Sequence, residues 1–385
     1  MIQGASIICF AHDWEGDPTS KTHIMRILAK RNRVLWVNSI GMRRPRASGR
    51  DLRRILTKVR RAIHGCVEVE PNLFVTSPLT LPLPGVPLVE SLNGKILRNW
   101  LRHLCRRHGI KSPILWTFLP NVGHLLGQLG ERMVIYHCVD EYSAFSGVPR
   151  EALIGMEQDL VRRAHIVFTS SEQLRAERLS LNANTHFISH GVDVTHFARA
   201  LDSATIVPED LRPLPRPIIG FFGLLADWVD IALIRAIALA RPSWSVALVG
   251  KAVTDLAPLQ RLPNVHLLGQ KPYSELPGYC RGFDVGIIPF CKNELTVRAN
   301  PLKMREYLAA GLPVVSTPLP EVARYNGLVR LADGTEEFIA EIEAAMNQRS
   351  EASTRRRLDA MRKEGWEVRV AEISALIEER LGVAL

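Results

Sequence analysis

Short apolar runs alternate with amphipathic segments along almost the whole chain of 385 residues. Helical spacing of the apolar positions marks the segments Thr22–Ala29 and Ile231–Ala240. The apolar runs predict strands at Ser6–Phe10, Val34–Val37, Ile114–Trp116, Met133–Tyr136, His165–Thr169, Ile218–Phe222, Ser245–Val249, Val265–Leu268, Val285–Pro289 and Val314–Ser316. Strands that alternate with helices are typical of βαβ units, so the pattern predicts an α/β fold with parallel sheets.

A proline-rich segment interrupts this alternation once. Val207–Pro217 contains four prolines, which favours a stiff connector between two domains. Near the end, Trp366, Val370, Ile373 and Ile377 recur at spacings of three and four and form an apolar helical stripe. The predicted division is an N-terminal domain at 1–205, a linker at 206–217, a C-terminal domain at 218–362 and a helical tail at 363–385 that packs back on the N-terminal domain.

Composition narrows the class of protein. With 46% hydrophobic and 23% charged residues, the chain is an ordinary globular protein rather than a disordered one. The first residues lack a basic segment, and no apolar run approaches the roughly 20 residues that span a bilayer. The six cysteines form no CxxC pair, which argues against a zinc site or a disulfide framework. We therefore expect a cytoplasmic protein, at most peripheral to the inner face of the cell membrane.

The net charge of +10 is concentrated in the first third of the chain. One basic cluster runs from Arg43 to Arg61 with Asp51 as its only acid. A second cluster comprises Lys95, Arg98, Arg102, Arg106, Arg107 and Lys111. Such clusters attract anionic lipids, phosphorylated substrates or nucleic acid, but each is also compatible with an ordinary solvated helix face.

The best-specified local element is the stretch from Asn300 to Thr317. Asn300 suits the N-cap of a helix and Pro301 its first position. Gly311 suits a left-handed residue after the helix, and Pro313 prevents its continuation. The sequence thus predicts a short helix followed by the buried strand Val314–Ser316.

This helix carries the strongest candidate chemistry. Its first N–H groups and its dipole favour a phosphate, and Lys303 adds a cation in the first turn. Glu306 lies three residues on, hence on the same face, where its carboxylate could accept hydrogen bonds from ribose hydroxyls. The alternative is a surface salt bridge between Lys303 and Glu306.

Pro301–Ser316 resembles the donor-binding signature of glycosyltransferases with the GT-B fold. His190–Phe197, Ile219–Gly223 and Val265–Gln270 resemble further segments of such enzymes in the same order. The resemblance implies two Rossmann-like doubly wound domains facing each other across a cleft, the C-terminal one binding a nucleotide-sugar, with a UDP-sugar favoured.

Donor-binding roles follow from the resemblance for Gly220, Gly223, Lys251, Gln270, Tyr273, Asn300, Lys303 and Glu306. Glu306 matches the ribose-binding glutamate. The two glycines match a turn whose backbone approaches a phosphate or the sugar, although a plain tight turn has the same pattern. Lys251, which follows a strand, could meet phosphates or lie exposed in a loop. Arg298 stands where many retaining members carry a second glutamate, which argues against a retaining mechanism.

The segment after strand Met133–Tyr136 resembles a turn of bacterial exopolysaccharide and teichuronic-acid transferases of the xanthan glucuronosyltransferase type. The resemblance implies that Asp140 is the base of an inverting displacement. Glu141 and His137 are competing candidates, and Asp140 could instead cap the following helix. In the loop after the first strand, the candidate acceptor contacts are Asp13, Trp14, Glu15 and Lys21. Trp14 could stack on a sugar or pack internally.

No Asp-x-Asp pair or His/Cys ligand spacing is present, so we expect catalysis without a metal or another cofactor. The helix dipole, Lys303 and either Lys251 or Arg298 would then meet the charge of the leaving diphosphate. The predicted function is transfer of a sugar to a glycan acceptor, lipid-linked, in exopolysaccharide or cell-envelope synthesis, with an anionic membrane surface as a further partner through Arg43–Arg61.

Two alternatives remain open at this point. One is a retaining transferase or a nucleotide-sugar epimerase of the same fold. The other is a basic protein that binds nucleic acid or membranes. Nucleic acid is not an expected partner, because the chain lacks its recognition signatures and its basic clusters lack interleaved aromatic residues.

Overall fold

Two sheets organise the protein, one mainly and one wholly parallel, each inside its own compact unit. The structure is a computed structural model that describes residues 1–39, 65–78 and 87–382, so the basic run Arg43–Arg61 lies outside the described residues. Unit 1 comprises Met1–Ser189 and Val370–Leu385, and unit 2 comprises His190–Arg369. Within the described ranges, no helix is long and apolar enough to cross a bilayer.

Unit 1 contains an eight-stranded sheet in the order β3-β4-β2-β1-β5-β6-β7-β8. Its strands are β1 Ser6–Phe10, β2 Arg33–Val37, β3 Cys66–Glu70, β4 Leu73–Thr76, β5 Ile114–Thr117, β6 Met133–Cys138, β7 Ile166–Thr169 and β8 Thr185–Phe187. All pairs are parallel except the hairpin of β3 and β4. The described helices of this unit are α1 Ser20–Ala29, α2 Pro87–Arg107, α3 Arg150–Arg163 and α4 Glu172–Leu179, with short 3-10 turns at Pro120–Leu125 and Tyr142–Ala144.

Unit 2 contains a six-stranded parallel sheet in the order β11-β10-β9-β12-β13-β14. Its strands are β9 Ile218–Phe222, β10 Ser245–Val249, β11 Val265–Gly269, β12 Val285–Ile288, β13 Val314–Ser316 and β14 Val329–Leu331. The helices that follow in chain order are α5 Val194–Ala198, α6 Ile231–Ala240, α7 Ala257–Gln260, α8 Leu276–Gly282, α9 Leu302–Ala309, α10 Pro320–Ala323, α11 Thr335–Asn347, α12 Glu351–Arg362 and α13 Trp366–Leu381, whose last part belongs to unit 1. Further 3-10 turns lie at Arg199–Leu201, Tyr273–Glu275 and Thr296–Arg298.

The predicted α/β class and the predicted strands are confirmed, most within one or two residues at each end. The central strands are fully buried because helices cover both faces, which is why they read as continuous apolar runs. The hairpin Cys66–Thr76 was not predicted. Its outer strand β3 is largely exposed, with polar residues between its valines, so it lacks the apolar run that marks the buried strands.

Unit 2 begins earlier than the predicted linker. Val192 donates a backbone hydrogen bond to Glu364, and a Cβ on Gly191 would lie 2.8 Å from the ring of Trp366. Phe197 is fully buried and stacks on Phe222 of β9 at 6.1 Å. The segment from His190 onward therefore completes the core of unit 2, which a proline-based boundary does not anticipate.

Candidate functional site

Helix α9 in unit 2 starts one residue later than predicted. Pro301 is its N-cap, and the side chain of Asn300 instead accepts a 2.6 Å hydrogen bond from Nη1 of Arg305. The predicted N-cap role of Asn300 is therefore wrong, because a buried guanidinium takes the acceptor that would have capped the helix. Gly311 adopts φ +75°, the left-handed conformation that was predicted for it.

Arg305 anchors this helix, a role that no local sequence pattern indicates. The residue is fully buried. Its Nε lies 2.9 Å from Glu364, and its Nη2 donates to the hydroxyl of Tyr325 at 2.7 Å. Tyr325 in turn donates to Glu364 at 2.6 Å. Buried charge-assisted hydrogen bonds of this kind have narrow geometry, so they fix where α9 begins.

A tyrosine joins the same helix to the central strand of the sheet. The hydroxyl of Tyr307 accepts a 2.8 Å hydrogen bond from the backbone N–H of Phe222, the last residue of β9. Its ring fills the space that Gly286 leaves, where a Cβ would lie 2.8 Å away. Helix α9 is thereby held at the carboxyl end of β9, the edge where open α/β sheets bind ligands.

Lys303 occupies the first turn of this helix. Its ammonium lies 4.1 Å from the ring centroid of Phe221 and 4.7 Å from that of Phe290. Aromatic faces attract a cation but replace water poorly. Burial lowers the pKa of Lys303 to about 7, although Glu306 opposes the shift. At neutral pH this lysine is therefore poised to gain a full charge when an anion arrives.

Glu306 is the counterpart of Lys303. Burial raises its pKa to about 7, Lys303 opposes the shift, and the carboxylate of Asp193 adds to it. An exposed surface salt bridge would not show two such shifts. Two partly desolvated groups with displaced pKa values at the end of a sheet are instead typical of a functional site.

Two glycine turns border Lys303. Gly223 follows β9 with φ +130°, and a Cβ there would come 2.8 Å from the ammonium of Lys303. Gly250 follows β10 with φ +152°, and a Cβ there would come 1.9 Å from the carbonyl oxygen of Gly223. A side chain on Gly250 would collide with the backbone of Gly223, and the positive φ of Gly223 is one that residues with a Cβ rarely adopt, so each position requires glycine for its own reason.

Gly220 serves a different purpose from the predicted one. It lies inside the buried strand β9, and a Cβ on it would come 2.1 Å from the ring of Phe283. Its missing side chain makes room for Phe283 in the core. The prediction that Gly220 lets a backbone approach a phosphate is corrected accordingly.

The remaining predicted donor residues follow neighbouring strands at the same edge of the sheet. Lys251 is exposed directly after Gly250, and Gln270 is exposed directly after β11. Tyr273 is packed, because its ring stacks on that of His196 at 4.3 Å. Arg298 donates a 2.8 Å hydrogen bond to the carbonyl of Glu294. Lys251 and Gln270 thus follow strands that end at the same edge of the sheet as the α9 site, and Tyr273 packs against His196.

In unit 1, Asp140 lies just beyond the carboxyl end of β6 and is partly exposed. Burial raises its pKa to about 6. The charge of Lys21 opposes this shift, and that of Glu141 adds to it. A carboxylate with a pKa near neutrality can both lose and accept a proton at working pH, which is what a general base requires.

Glu141 is engaged elsewhere. It is the N-cap of the turn Tyr142–Ala144, and its carboxylate accepts from the hydroxyl of Ser143 at 2.6 Å. Nη2 of Arg178 lies 2.7 Å away. Burial favours a higher pKa for Glu141, but the charge of Arg178 together with the hydrogen bonds from Ser143 and Arg178 outweighs burial and lowers it. The capping role that was left open for Asp140 therefore belongs to Glu141, whose charge is already paired.

Arg178 links several carboxylates of unit 1, and sequence reasoning missed it as well. Besides Glu141, it contacts Glu157 at 2.9 Å and Glu177 at 2.5 Å. Glu157 also accepts a 2.6 Å hydrogen bond from the hydroxyl of Tyr136. This network ties α3 and α4 to the segment that carries Asp140.

His137 is a core residue. It is 1% exposed, and its ring stacks on Phe118 at 4.9 Å. Burial, together with the charge of Lys21, lowers its pKa to about 3, so the imidazole is neutral under ordinary conditions. That environment makes it a poor competitor of Asp140 as base.

The four predicted acceptor contacts differ in their surroundings. Trp14 packs edge-on against Trp36 at 5.0 Å, and the guanidinium of Arg26 lies 5.0 Å from its ring, which favours the packing interpretation. Asp13 is half-buried and Glu15 exposed in the loop after β1. Lys21 reaches the Asp140 segment, where its ammonium donates to the hydroxyl of Tyr142 at 3.2 Å.

The second basic cluster lies on α2 and just beyond it. Its exposed cations are Lys95, Arg102, Arg106, Arg107 and Lys111. Between them the helix exposes two apolar side chains, Leu92 at 47% and Ile96 at 42%. From Leu92 to Arg107 the helix contains no acidic residue. One face of α2 therefore combines positive charge with exposed apolar surface.

Across residues 1–39, 65–78 and 87–382, no group of histidine, cysteine, aspartate and glutamate side chains has the geometry of a metal site. Metal independence remains a prediction.

Comparison with known proteins places these sites in context. Residues 216–348 match the family described as glycosyl transferases group 1. A glycosyltransferase named for teichuronic acid biosynthesis, TuaH of Bacillus subtilis (strain 168), is 28% identical over 276 residues, which cover 66% of this chain and 68% of TuaH.

Among solved structures, HepE of Anabaena in complex with UDP and glucose superposes with a TM-score of 0.66 at 15% identity, covering 97% of this chain and 99% of HepE. Sucrose-phosphate synthase of Thermosynechococcus elongatus superposes with a TM-score of 0.70 at 16% identity, covering 99% of this chain and all of that one. At these identities the likeness shows a shared fold and nothing beyond it.

Proposed function

Because this chain is a glycosyltransferase with the GT-B fold, we propose that it transfers a sugar from a UDP-sugar to a glycan acceptor with inversion at the anomeric carbon. The single observation that carries the proposal is the Lys303–Glu306 pair at the first turn of α9, beside the glycine turns after β9 and β10.

Donor binding follows from the chemistry of that pair. A diphosphate at the amino end of α9 would meet free N–H groups, the helix dipole and the ammonium of Lys303. The carboxylate of Glu306 would accept hydrogen bonds from ribose hydroxyls. Lys251 and Gln270, exposed at the ends of neighbouring strands, are the further donor contacts we propose. Uracil is the proposed base because HepE, which shares the fold, was solved with UDP.

Asp140 is the proposed base. It would take the proton of an acceptor hydroxyl while that oxygen attacks the anomeric carbon, and the bond from this carbon to the diphosphate oxygen would break. UDP would leave with the electron pair, stabilised by Lys303 and the end of α9. Attack from the face opposite the leaving group inverts the configuration. Arg298 supports inversion, because many retaining members of the family that the chain resembles have a second glutamate at this position.

A lipid-linked acceptor in cell-envelope or exopolysaccharide synthesis is the proposed substrate class. Two observations support it: the name of TuaH refers to teichuronic acid, and one face of α2 joins cations to exposed Leu92 and Ile96. Such a face suits an anionic membrane, where each basic residue contributes about 1 kcal/mol. We propose peripheral binding at the inner face of the cell membrane.

Two assays test the transfer proposal. In the first, the intact protein is screened by thermal shift against UDP-, GDP- and ADP-sugars, and only the UDP-sugars should raise the melting temperature. In the second, the purified protein consumes the UDP-sugar in the presence of membrane extract, and NMR of the product's anomeric proton shows inversion. A retained configuration would point to the retaining alternative, and donor consumption without any glycan product would point to an epimerase.

Membrane binding is tested separately with vesicles. The intact protein should sediment with vesicles that contain phosphatidylglycerol but not with pure phosphatidylcholine vesicles. Leu92→Ser combined with Ile96→Ser should release it. Equal binding to nucleic acid and vesicles, abolished by salt in both cases, would support the alternative of a general polyanion binder.

A further inference from the structure

Lys21 is placed to act on Asp140 rather than on a substrate. It is the second residue of α1, and its ammonium donates to the hydroxyl of Tyr142 at 3.2 Å. The same ammonium lies 5.8 Å from the ring centroid of Tyr142. Tyr142 is two residues beyond Asp140, so this contact brings the cation to the segment that carries the proposed base.

The other titratable groups around this cation come from two strands and their following loops. Cys9 and His12 belong to the first strand and its loop, and His137 and Cys138 belong to β6. Both imidazoles have a pKa of about 3, through burial and the charge of Lys21, so neither carries charge at neutral pH. Burial keeps both thiols protonated by raising the pKa of each.

None of these four groups therefore carries a charge at neutral pH, which leaves the charges around Asp140 itself. Asp140 and Lys21 act on each other, and Glu141 acts on Asp140 as a like charge. Arg178 is paired with Glu141 and Glu157, so its charge is already balanced. Lys21 is thus the cation that opposes the rise in the pKa of Asp140 that burial causes.

We propose that Lys21 is a positioning residue that holds Asp140 ionised and fixes the loop that carries it, rather than a contact for the acceptor. This inference rests on the proposed role of Asp140 as base. It corrects the acceptor role that the sequence suggested for Lys21. It also gives Asp140 a second effect: burial lowers the pKa of the partly buried Lys21, and the charge of Asp140 opposes that shift.

The test compares Lys21→Met, Lys21→Arg and the control Lys30→Met, which removes an exposed lysine that follows the same helix. The pKa of Asp140 is measured directly in the intact protein by carbon-13 NMR of its labelled carboxyl group. Loss of an opposite charge should raise that pKa by about 1 pH unit or more. Lys21→Arg should keep it near the wild-type value, and Lys30→Met should not change it.

Kinetics give a second readout. In Lys21→Met the acidic limb of the kcat profile should move to higher pH, so for a shift of about 1 pH unit the loss of rate is about fivefold larger at pH 6 than at pH 9. A raised KM for the acceptor with the same loss at every pH, together with an unmoved carboxyl resonance, would overturn the proposal in favour of an acceptor contact. If Lys21→Met does not fold, Lys21→Gln replaces it in both measurements.

The two proposals fail in different ways. If Asp140→Asn retains full turnover, Asp140 is not the base, yet the NMR titration still decides whether Lys21 controls its ionisation. If Asp140→Asn is inactive and the titration is the same in wild type and Lys21→Met, the base assignment stands and the role of Lys21 is wrong.

Discussion

In each unit, a lysine whose pKa is lowered by burial interacts with an acid near the carboxyl ends of the strands, and the two pairs are built differently. Lys21 and Lys303 are both the second residue of a helix, and burial lowers the pKa of both. In unit 2 the acid Glu306 lies on the same helix as its lysine. In unit 1 the acid Asp140 comes from the loop after β6, and a tyrosine hydroxyl holds the lysine.

This difference indicates that the two pairs have different functions. The ammonium of Lys303 rests on two aromatic faces, and its pKa of about 7 leaves it incompletely charged until an anion binds. That arrangement suits ligand binding. Asp140, with a pKa of about 6, is mostly ionised at neutral pH yet can still hold a proton, which suits proton transfer. We therefore propose that unit 2 binds the donor and that unit 1 performs the chemical step.

Substitution of Asp140 by asparagine separates the two roles most strongly. Loss of a positioned general base should lower kcat by about 10²- to 10⁴-fold, while the affinity for UDP stays unchanged. Turnover and calorimetric titration with UDP check both parts. Asp159→Asn, an exposed change in the same unit, serves as control. A normal kcat would leave unit 1 without its assigned role.

The two buried arginines predict a difference in stability between the units. Arg178→Met leaves Glu141 and Glu157 buried without a counter-ion and should cost about 3–5 kcal/mol of unfolding free energy. Arg305→Met removes one partner of Glu364, whose carboxylate still lies 3.7 Å from Arg369, and should cost less. Urea denaturation measures both. Arg355→Met, from a pair that is mostly exposed, should have almost no effect. The reverse order of Arg178 and Arg305 would contradict the comparison.

Glu306→Gln tests donor binding in unit 2. Hydrogen bonds to a charged acceptor contribute about 1.5–3 kcal/mol, so UDP should bind about 10- to 100-fold more weakly. Calorimetry gives the dissociation constant, and the exposed Glu336→Gln is the matched control. Unchanged UDP affinity in Glu306→Gln would place the ribose elsewhere.

Proton linkage gives the smallest but most specific signal. The free protein holds Lys303 with a pKa of about 7, so at pH 8 most of it is uncharged. A bound diphosphate favours the ammonium and raises its pKa, so binding at pH 8 should take up a fraction of a proton. Calorimetry in buffers of different ionisation enthalpy measures this uptake. Lys303→Met should abolish it, whereas uptake that persists in this variant would assign the proton to another group.

Local signals explain which parts of this picture the sequence could predict. Lys303 and Glu306 lie within one helical turn, and Gly311 and Pro313 mark where the helix ends, so a short stretch of sequence is enough to predict the donor-binding candidate. The buried strands were equally clear because both faces of each are covered.

Long-range pairing explains what was missed. Lys21 and Tyr142 are 121 residues apart in sequence, and nothing local indicates that they meet. Arg178 and Arg305 look like ordinary helix-surface arginines until the fold buries them. The side chain of Asn300 was predicted to cap a helix, but its oxygen instead accepts a hydrogen bond from Arg305. Gly220 resembled a ligand-binding glycine because the ring that fills its place, that of Phe283, is distant in sequence.

A single-turnover experiment tests the division of roles most directly. The rate of the first turnover is measured against UDP-sugar concentration, with membrane extract as acceptor, for the wild type, Asp140→Asn and Glu306→Gln. We expect Asp140→Asn to lower the limiting rate at an unchanged half-saturating donor concentration, and Glu306→Gln to raise this concentration. If Asp140→Asn instead weakened donor binding, or Glu306→Gln lowered only the limiting rate, the assignment of the two units would be contradicted.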